Sequence, residues 1–103
     1  MQTFENSHGV NETHFKTEAT VYCPIGKDYY KADIEVWVYG QSRIVDFLGI
    51  YDFCVNELNG KNLTHEAVAA TVFDKMQKAF QPEHLKVKVF SHSPLWAETV
   101  KEG

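Results

Sequence analysis

Apolar and polar residues alternate along four segments of the chain, and this period of two predicts half-buried β-strands. The alternation is clearest in residues 33–39, where Ile34, Val36 and Val38 are separated by charged and aromatic side chains. A turn is expected at residues 25–28, before this strand. The four predicted strands are residues 15–23, 33–39, 85–90 and 95–100.

Between the second and third strands, apolar residues recur at a period near 3.6, which predicts two helices with one buried face each. The first helix covers residues 44–58 and ends at Asn59-Gly60, because glycine readily adopts the left-handed conformation that closes a helix. Thr64 is the predicted N-cap of the second helix, and Pro82 stops it. The apolar face of the first helix is Ile44, Phe47, Leu48, Tyr51, Val55 and Leu58, and that of the second is Val68, Val72, Met76 and Phe80.

The order strand, strand, helix, helix, strand, strand favours an α+β fold, in which an antiparallel four-stranded sheet carries both helices on one face. We expect residues 15–103 to form this single domain. Residues 1–14 are polar with few apolar anchors, so we expect a loose arm there. Such a sheet leaves one face and two edges to cover. We therefore expect homo-oligomerisation, with several copies closing the sheet into a ring barrel.

Composition narrows the classes of function. The chain has 103 residues and a formal net charge of −4, so a dedicated nucleic-acid surface is not expected. No segment has the length and apolarity of a membrane span, and the N-terminus lacks the pattern of a signal peptide. We therefore expect a cytoplasmic protein with no membrane partner. In a reducing compartment Cys23 and Cys54 are not expected to form a disulfide, and their spacing predicts no metal site.

Cys23, followed by Pro24 at the end of the first predicted strand, is the candidate nucleophile. Reactive groups gather where strands end beside loops, and a thiolate is a strong nucleophile. Lys27 lies close in sequence and could favour the thiolate. The alternative is a small, buried, apolar cysteine. Cys54 fits that alternative better, because it lies beside the apolar stripe of the first helix.

His65-Glu66 is the second candidate, since both residues fall in the first turn after Thr64. A carboxylate there is stabilised by the helix N-terminus. Its two oxygens could accept two N–H bonds from a flat heterocycle, and His65 could donate or shuttle a proton. The alternative is that Glu66 only complements the helix dipole and that His65 is solvated. Three residues near Cys23 could supply a local acid: Asp28, Tyr30 and Asp33.

Taken in order, these landmarks resemble the 7-cyano-7-deazaguanine reductase family. They are Cys23-Pro24, the strand at Ile34, a helix ending at Gly60, Thr64-His65-Glu66, and Pro82 before a Val-Lys-Val strand. The resemblance implies the tunnelling fold (T-fold), with ring-shaped assemblies and sites between neighbouring subunits. It also implies that Cys23 attacks a nitrile carbon to form a thioimide, that Glu66 binds the guanine-like edge, and that His65 assists proton transfer.

Two departures from the reductases bear on the reaction. The family's acid stands seven residues after the cysteine, and that position is Tyr30 here, so Asp28, Asp33 or the phenol itself would have to act. The family's lysine- and serine-rich cofactor segment corresponds to residues 45–50, which are shorter and contain no lysine. The sequence therefore requires no cofactor, and NADPH would have to bind without that segment. The short archaeosine-forming amidinotransferases, which add ammonia to the thioimide, lack the same segment.

Three hypotheses follow from the resemblance. The leading one is thioimide formation at Cys23 followed by amine addition. The second is an NADPH-dependent reductase, and the third is a purine- or pterin-binding protein of the same fold without catalysis. The partner is expected to be a small-molecule deazapurine or a modified nucleic acid. A polynucleotide would depend on a local patch of four lysines, Lys27, Lys31, Lys86 and Lys88.

Overall fold

An antiparallel four-stranded sheet with two helices on one face forms the body of the chain in the computed structural model, which describes all 103 residues. The sheet order is β2-β3-β5-β6, and β1 pairs separately with β4. The α+β arrangement predicted from the sequence is confirmed. The strands are β1 Thr3–Glu5, β2 Glu12–Cys23, β3 Asp28–Tyr39, β4 Arg43–Val45, β5 His84–Ser91 and β6 Ala97–Glu102. The helices are α1 Phe47–Phe53, which continues as a π-helical turn Cys54–Leu58, and α2 His65–Phe80.

The strict alternation of the strands divides the sheet into an inner face, which packs against the helices, and an outer face. Ile34, Val36 and Val38 of β3 are at most 1% exposed on the inner face. Charged residues occupy the outer face, where Lys31 of β3 pairs with Glu18 of β2 at 2.7 Å. The inner residues of the sheet and the buried residues of the helices form one core of 20 side chains, with α2 packed mainly on β5. Burial of this alternating face is what sets the register of the sheet.

The prediction of a loose N-terminal arm is wrong for two parts of residues 1–14. Thr3–Glu5 forms β1, which pairs antiparallel with β4. The strand β2 already begins at Glu12, opposite Tyr39. Polar residues are tolerated in these segments because backbone hydrogen bonds, rather than buried side chains, hold them. The division into an arm and a domain of residues 15–103 stays a prediction.

The first helix begins at Phe47, three residues after its predicted start at residue 44, because residues 43–45 form the strand β4. Asp46 then caps α1, its carboxylate accepting a hydrogen bond from the Leu48 N–H at 3.0 Å. The predicted stop at Gly60 is confirmed, since its φ is +72° and its N–H donates to Thr20 O. Thr64 is confirmed as the N-cap of α2, accepting from the Ala67 N–H at 3.2 Å.

Two strand boundaries also differ from the predicted ones. β3 begins at Asp28 rather than at residue 33, because the hairpin between β2 and β3 is tight and the pairing extends to its end. β6 covers Ala97–Glu102 rather than residues 95–100, and Leu95 and Trp96 are exposed before it. Neither helix is both long and apolar enough to cross a membrane.

Candidate functional site

Cys23 ends β2 on the inner face of the sheet, where it is half-buried. The hairpin turn folds over it, so that the Gly26 N–H donates to the Cys23 Sγ at 3.3 Å and the Lys27 N–H donates to the Cys23 carbonyl at 2.8 Å. Lys27 adopts a φ of +56°, a left-handed conformation that closes the turn. The backbone therefore holds the sulfur at the open end of the sheet.

The segment between the two helices is attached to the end of β2, and this attachment brings the start of α2 to Cys23. The Tyr22 N–H donates to Lys61 O, and the Leu63 N–H donates to Tyr22 O, both at 2.9 Å. These two bonds form a short parallel bridge between Tyr22 and Asn62. Because α2 begins at His65, three residues after Asn62, its first turn lies close to the end of β2.

Tyr30 lies on the inner face of β3 and links the two halves of the site. Its hydroxyl donates to Leu63 O at 2.8 Å, which holds the segment before α2 against the sheet. Burial and, to a smaller extent, the nearby negative charges of Cys23 and Glu66 together raise the pKa of the Tyr30 phenol to about 12. These effects place Cys23, Tyr30 and Glu66 in one electrostatic neighbourhood. The phenol remains protonated at neutral pH and can donate a proton, but it cannot act there as a base.

Glu66 and His65 occupy the first turn of α2 and face different surroundings. Glu66 is exposed, so its carboxylate is free to accept hydrogen bonds from a ligand. His65 is partly buried and its ring lies 6.0 Å from the Tyr30 ring. Burial lowers the pKa of His65, and the charge of Glu66 opposes this shift only in part. The histidine is therefore mainly neutral at physiological pH.

The two aspartates considered as substitute acids lie on opposite faces of the sheet. Asp28 is the cross-strand partner of Cys23, so the two side chains share the inner face. Asp33 lies an odd number of residues from Asp28 and is therefore on the outer face, where it contacts Lys31 at 3.7 Å and His92 at 3.7 Å. Its proposed role beside Cys23 is therefore wrong. Asp28 is exposed, and its carboxylate accepts a hydrogen bond from the Tyr29 N–H at 2.8 Å.

Cys54 lies away from this cluster and is confirmed as a buried cysteine of the core, with 3% of its surface exposed. Burial raises the pKa of its thiol, and the hydroxyl of Thr17 lies 3.6 Å from its sulfur. A cavity of about 560 Å³ lies along the free edge of β2, and its lining includes Cys54 but not Cys23. Both thiols are free.

Residues 45–50 do not fit the phosphates of a nicotinamide cofactor. Val45 is buried in the core, and Asp46 uses its carboxylate to cap α1. Phe47 and Leu48 are exposed but apolar. The segment thus offers a negative charge and no cation, where phosphate binding needs Lys, Arg or free N–H groups.

Sequence reasoning missed the two hydroxyls that hold His65. Its Nδ1 lies 2.8 Å from Thr99 Oγ1, and its Nε2 lies 3.1 Å from Ser91 Oγ. A signal was present in the alternation of β5, because Ser91 continues the buried series Leu85, Val87 and Val89. A polar residue at a buried strand position has to find a hydrogen-bond partner.

The fold and the site together describe a tunnelling-fold protein with a half-buried cysteine at the end of β2, the strand to which the segment before the second helix is bridged. No family model matches the chain, and no curated protein matches it. Among solved structures, it is similar to the archaeosine synthase QueF-Like in the apo form, with a TM-score of 0.82 over 91% of this chain and 94% of that chain. The two sequences are 22% identical, so the comparison establishes the fold alone.

Proposed function

We propose that this protein is an enzyme of the 7-deazaguanine pathway, which captures the nitrile of 7-cyano-7-deazaguanine as a thioimide on Cys23. The proposal is carried by the position of Tyr30, which is near enough to Cys23 and Glu66 for their charges to raise its pKa and whose hydroxyl holds the segment before α2 through Leu63 O. A protein of the same fold bears the name archaeosine synthase, which gives independent support.

The reaction balances with groups that the chain supplies. The Cys23 sulfur forms a bond to the nitrile carbon, one π bond of the nitrile breaks, and the nitrogen takes up a proton. The thiol proton is lost as the sulfur attacks, so no oxidant or reductant is needed. Glu66 accepts two N–H bonds from the guanine-like edge and orients the nitrile towards the sulfur.

Amine addition follows capture in this proposal. Ammonia forms a bond to the thioimide carbon, the carbon–sulfur bond breaks, and Cys23 regains its proton while an amidine leaves. The poor fit of residues 45–50 to a phosphate-bearing cofactor favours this route over hydride transfer. Hydride reduction would require NADPH to bind elsewhere on the chain or at a contact between copies.

A small-molecule deazapurine is the favoured substrate, because most lysines of the expected polynucleotide patch are occupied. Lys31 lies 2.7 Å from Glu18, and Lys88 lies 3.3 Å from Glu98. The ammonium of Lys86 lies over an aromatic ring, 5.1 Å from its centroid. A phosphate backbone would have to compete with these partners.

The test is the intact mass of the protein after mixing with 7-cyano-7-deazaguanine. We expect one adduct of the mass of the ligand in the parent chain and in Cys54→Ala, the matched control, and none in Cys23→Ala. An adduct that persists in Cys23→Ala, or a parent chain that forms none, would contradict the proposal. Ammonia should then release the adduct as an amidine, whereas oxidation of NADPH would favour the reductase.

Binding without catalysis is a second candidate, and Tyr30 is the observation that favours it. A phenol with a pKa of about 12 is a weaker proton donor than the family's carboxylic acid, and this favours binding without turnover. Calorimetry with guanine distinguishes this candidate, since it requires binding at Glu66 together with a parent chain that forms no adduct.

Assembly of several copies through the sheet edges belongs to the same proposal. β2 and β6 are the two edge strands, and the strands alternate in direction, so β6 of one copy can pair antiparallel with β2 of the next. An apolar stripe lies beside the β2 edge, where Phe47, Tyr51 and Val55 are each at least 41% exposed. Such stripes on a soluble protein commonly mark contacts with a partner.

Native mass spectrometry checks the assembly. The parent chain is expected to appear as a multiple of 11.8 kDa, and Tyr51→Glu, which puts a charge into the apolar stripe, is expected to shift the population towards the monomer. A parent chain that stays monomeric at micromolar concentration would contradict it.

A further inference from the structure

His65 has both of its ring nitrogens engaged by hydroxyl groups from two different strands. Thr99 of β6 lies 2.8 Å from Nδ1, and Ser91 of β5 lies 3.1 Å from Nε2. Ser91 is only 7% exposed, so no solvent rearrangement can replace its contact at low cost. The ring thus connects the first turn of α2 to both strands at the edge of the sheet.

The hydrogen bonds of Ser91 determine which ring nitrogen of His65 carries the proton. The Ser91 hydroxyl has one proton, which it donates to Lys31 O at 2.9 Å, and a carbonyl can only accept. The Ser91 oxygen must therefore accept from His65, so Nε2 carries the proton. In a neutral ring Nδ1 is then an acceptor, and the Thr99 hydroxyl is its donor.

The charged groups around the ring agree with a neutral histidine. Burial lowers the pKa of His65, and Glu66 is the one charge that acts against this. The neighbouring Tyr30 phenol remains protonated at neutral pH. The single N–H of the neutral ring is already donated to Ser91, so no proton is left for a substrate.

We propose that Thr99 and Ser91 are positioning residues, which lock His65 as the neutral tautomer protonated at Nε2 and thereby fix the start of α2 where Glu66 meets the ligand. This inference rests on the proposed function for its effect on catalysis. It assigns His65 a part in orienting the site, in place of the proton transfer that the resemblance implies. The proton of the nitrile reaction then has to come from another residue.

The tautomer itself is measured without any substrate, from the nitrogen NMR shifts of the His65 ring in the full chain. We expect the proton on Nε2 and a pKa below that of a free histidine. Thr99→Val removes the donor to Nδ1 and so should raise the pKa of His65, because the neutral ring loses a hydrogen bond. Thr99→Ser keeps the hydroxyl and should leave the pKa as in the parent. Thr20→Val, an exposed strand position without such a contact, is the matched control.

Catalysis gives the second readout. Thioimide formation with 7-cyano-7-deazaguanine is expected to slow about tenfold in Thr99→Val and in Ser91→Ala, with Thr99→Ser restoring the parental rate. A proton on Nδ1, or a His65 pKa unchanged in Thr99→Val, would overturn the inference. Should the parent chain form no adduct at all, the proposed function fails, while the NMR measurement still decides the tautomer.

Discussion

Glu66→Gln is expected to lower the rate of thioimide formation about 100-fold at low ligand concentration. The two carboxylate oxygens accept two N–H bonds in the proposed complex, whereas the amide presents one acceptor and turns a donor towards the second N–H. A hydrogen bond to a charged group contributes about 1.5–3 kcal/mol, so losing one and opposing it costs about two powers of ten. Glu66 is exposed, so the substitution leaves no buried group unpaired.

The expected loss lies in binding, so it should appear as a higher ligand concentration for half-maximal rate, measured by time courses of intact mass. Glu57→Gln is the matched control, because Glu57 is an exposed glutamate whose only ion pair, with Lys75 at 3.2 Å, is a weak surface contact. Equal rates for Glu66→Gln and the parent would contradict the proposed role of Glu66 in ligand binding.

Much of the fold could be predicted from the sequence because the sheet buries one face alone. From Ala32 to Val38 of β3 and from Leu85 to Val89 of β5, every second residue is apolar and buried, and this alternation identifies the strands in the sequence. The short pair of β1 and β4 could not be predicted in this way. Residues 3–5 and 43–45 are held by backbone pairing between distant segments, and that pairing leaves no periodic signal in so few residues.

The site was predictable in part for the same reason. Cys23 and Glu66 are marked by a strand end and a helix start, which are local features. The alternation along β3 would also have separated the two aspartates. Asp28 and Tyr30 lie an even number of residues from Ile34 and so share its face of the sheet, whereas Asp33 does not. The contacts of His65 with β5 and β6 depend on how the helix packs across the sheet, which no local pattern specifies.

Tyr30 is expected to be the proton donor of the reaction, so Tyr30→Phe should slow thioimide formation about 100-fold, within the usual range for loss of a general acid. The nitrogen formed when a thiolate adds to a nitrile is far more basic than a phenolate, so a phenol with a pKa of about 12 can protonate it. The donor must leave Leu63 O to do so, a single bond of 2.8 Å. His65 offers no free N–H for this step.

The raised pKa of Tyr30 determines the pH range in which the phenol can donate a proton. Because the phenol holds its proton up to about pH 12, the donor is present from neutral to moderately alkaline pH, and its loss should not lower the parental rate in that range. Tyr30→Phe should lower the rate by a similar factor at each pH, since it removes the donor and not the nucleophile. Stopped reactions analysed by intact mass between neutral and alkaline pH measure both profiles.

Asp28 is the competing donor, because it faces Cys23 across the hairpin. It is exposed, and its side chain already accepts a hydrogen bond from the Tyr29 N–H, so Asp28→Asn is expected to change the rate little. Tyr30→Asp puts a carboxyl group at the inner-face position beside the sulfur, where it could accept the thiol proton and pass it to the nitrogen, and should recover part of the rate lost in Tyr30→Phe. If Asp28→Asn were slow while Tyr30→Phe matched the parent, the proton would come from the hairpin and the phenol would serve only to hold Leu63 against the sheet.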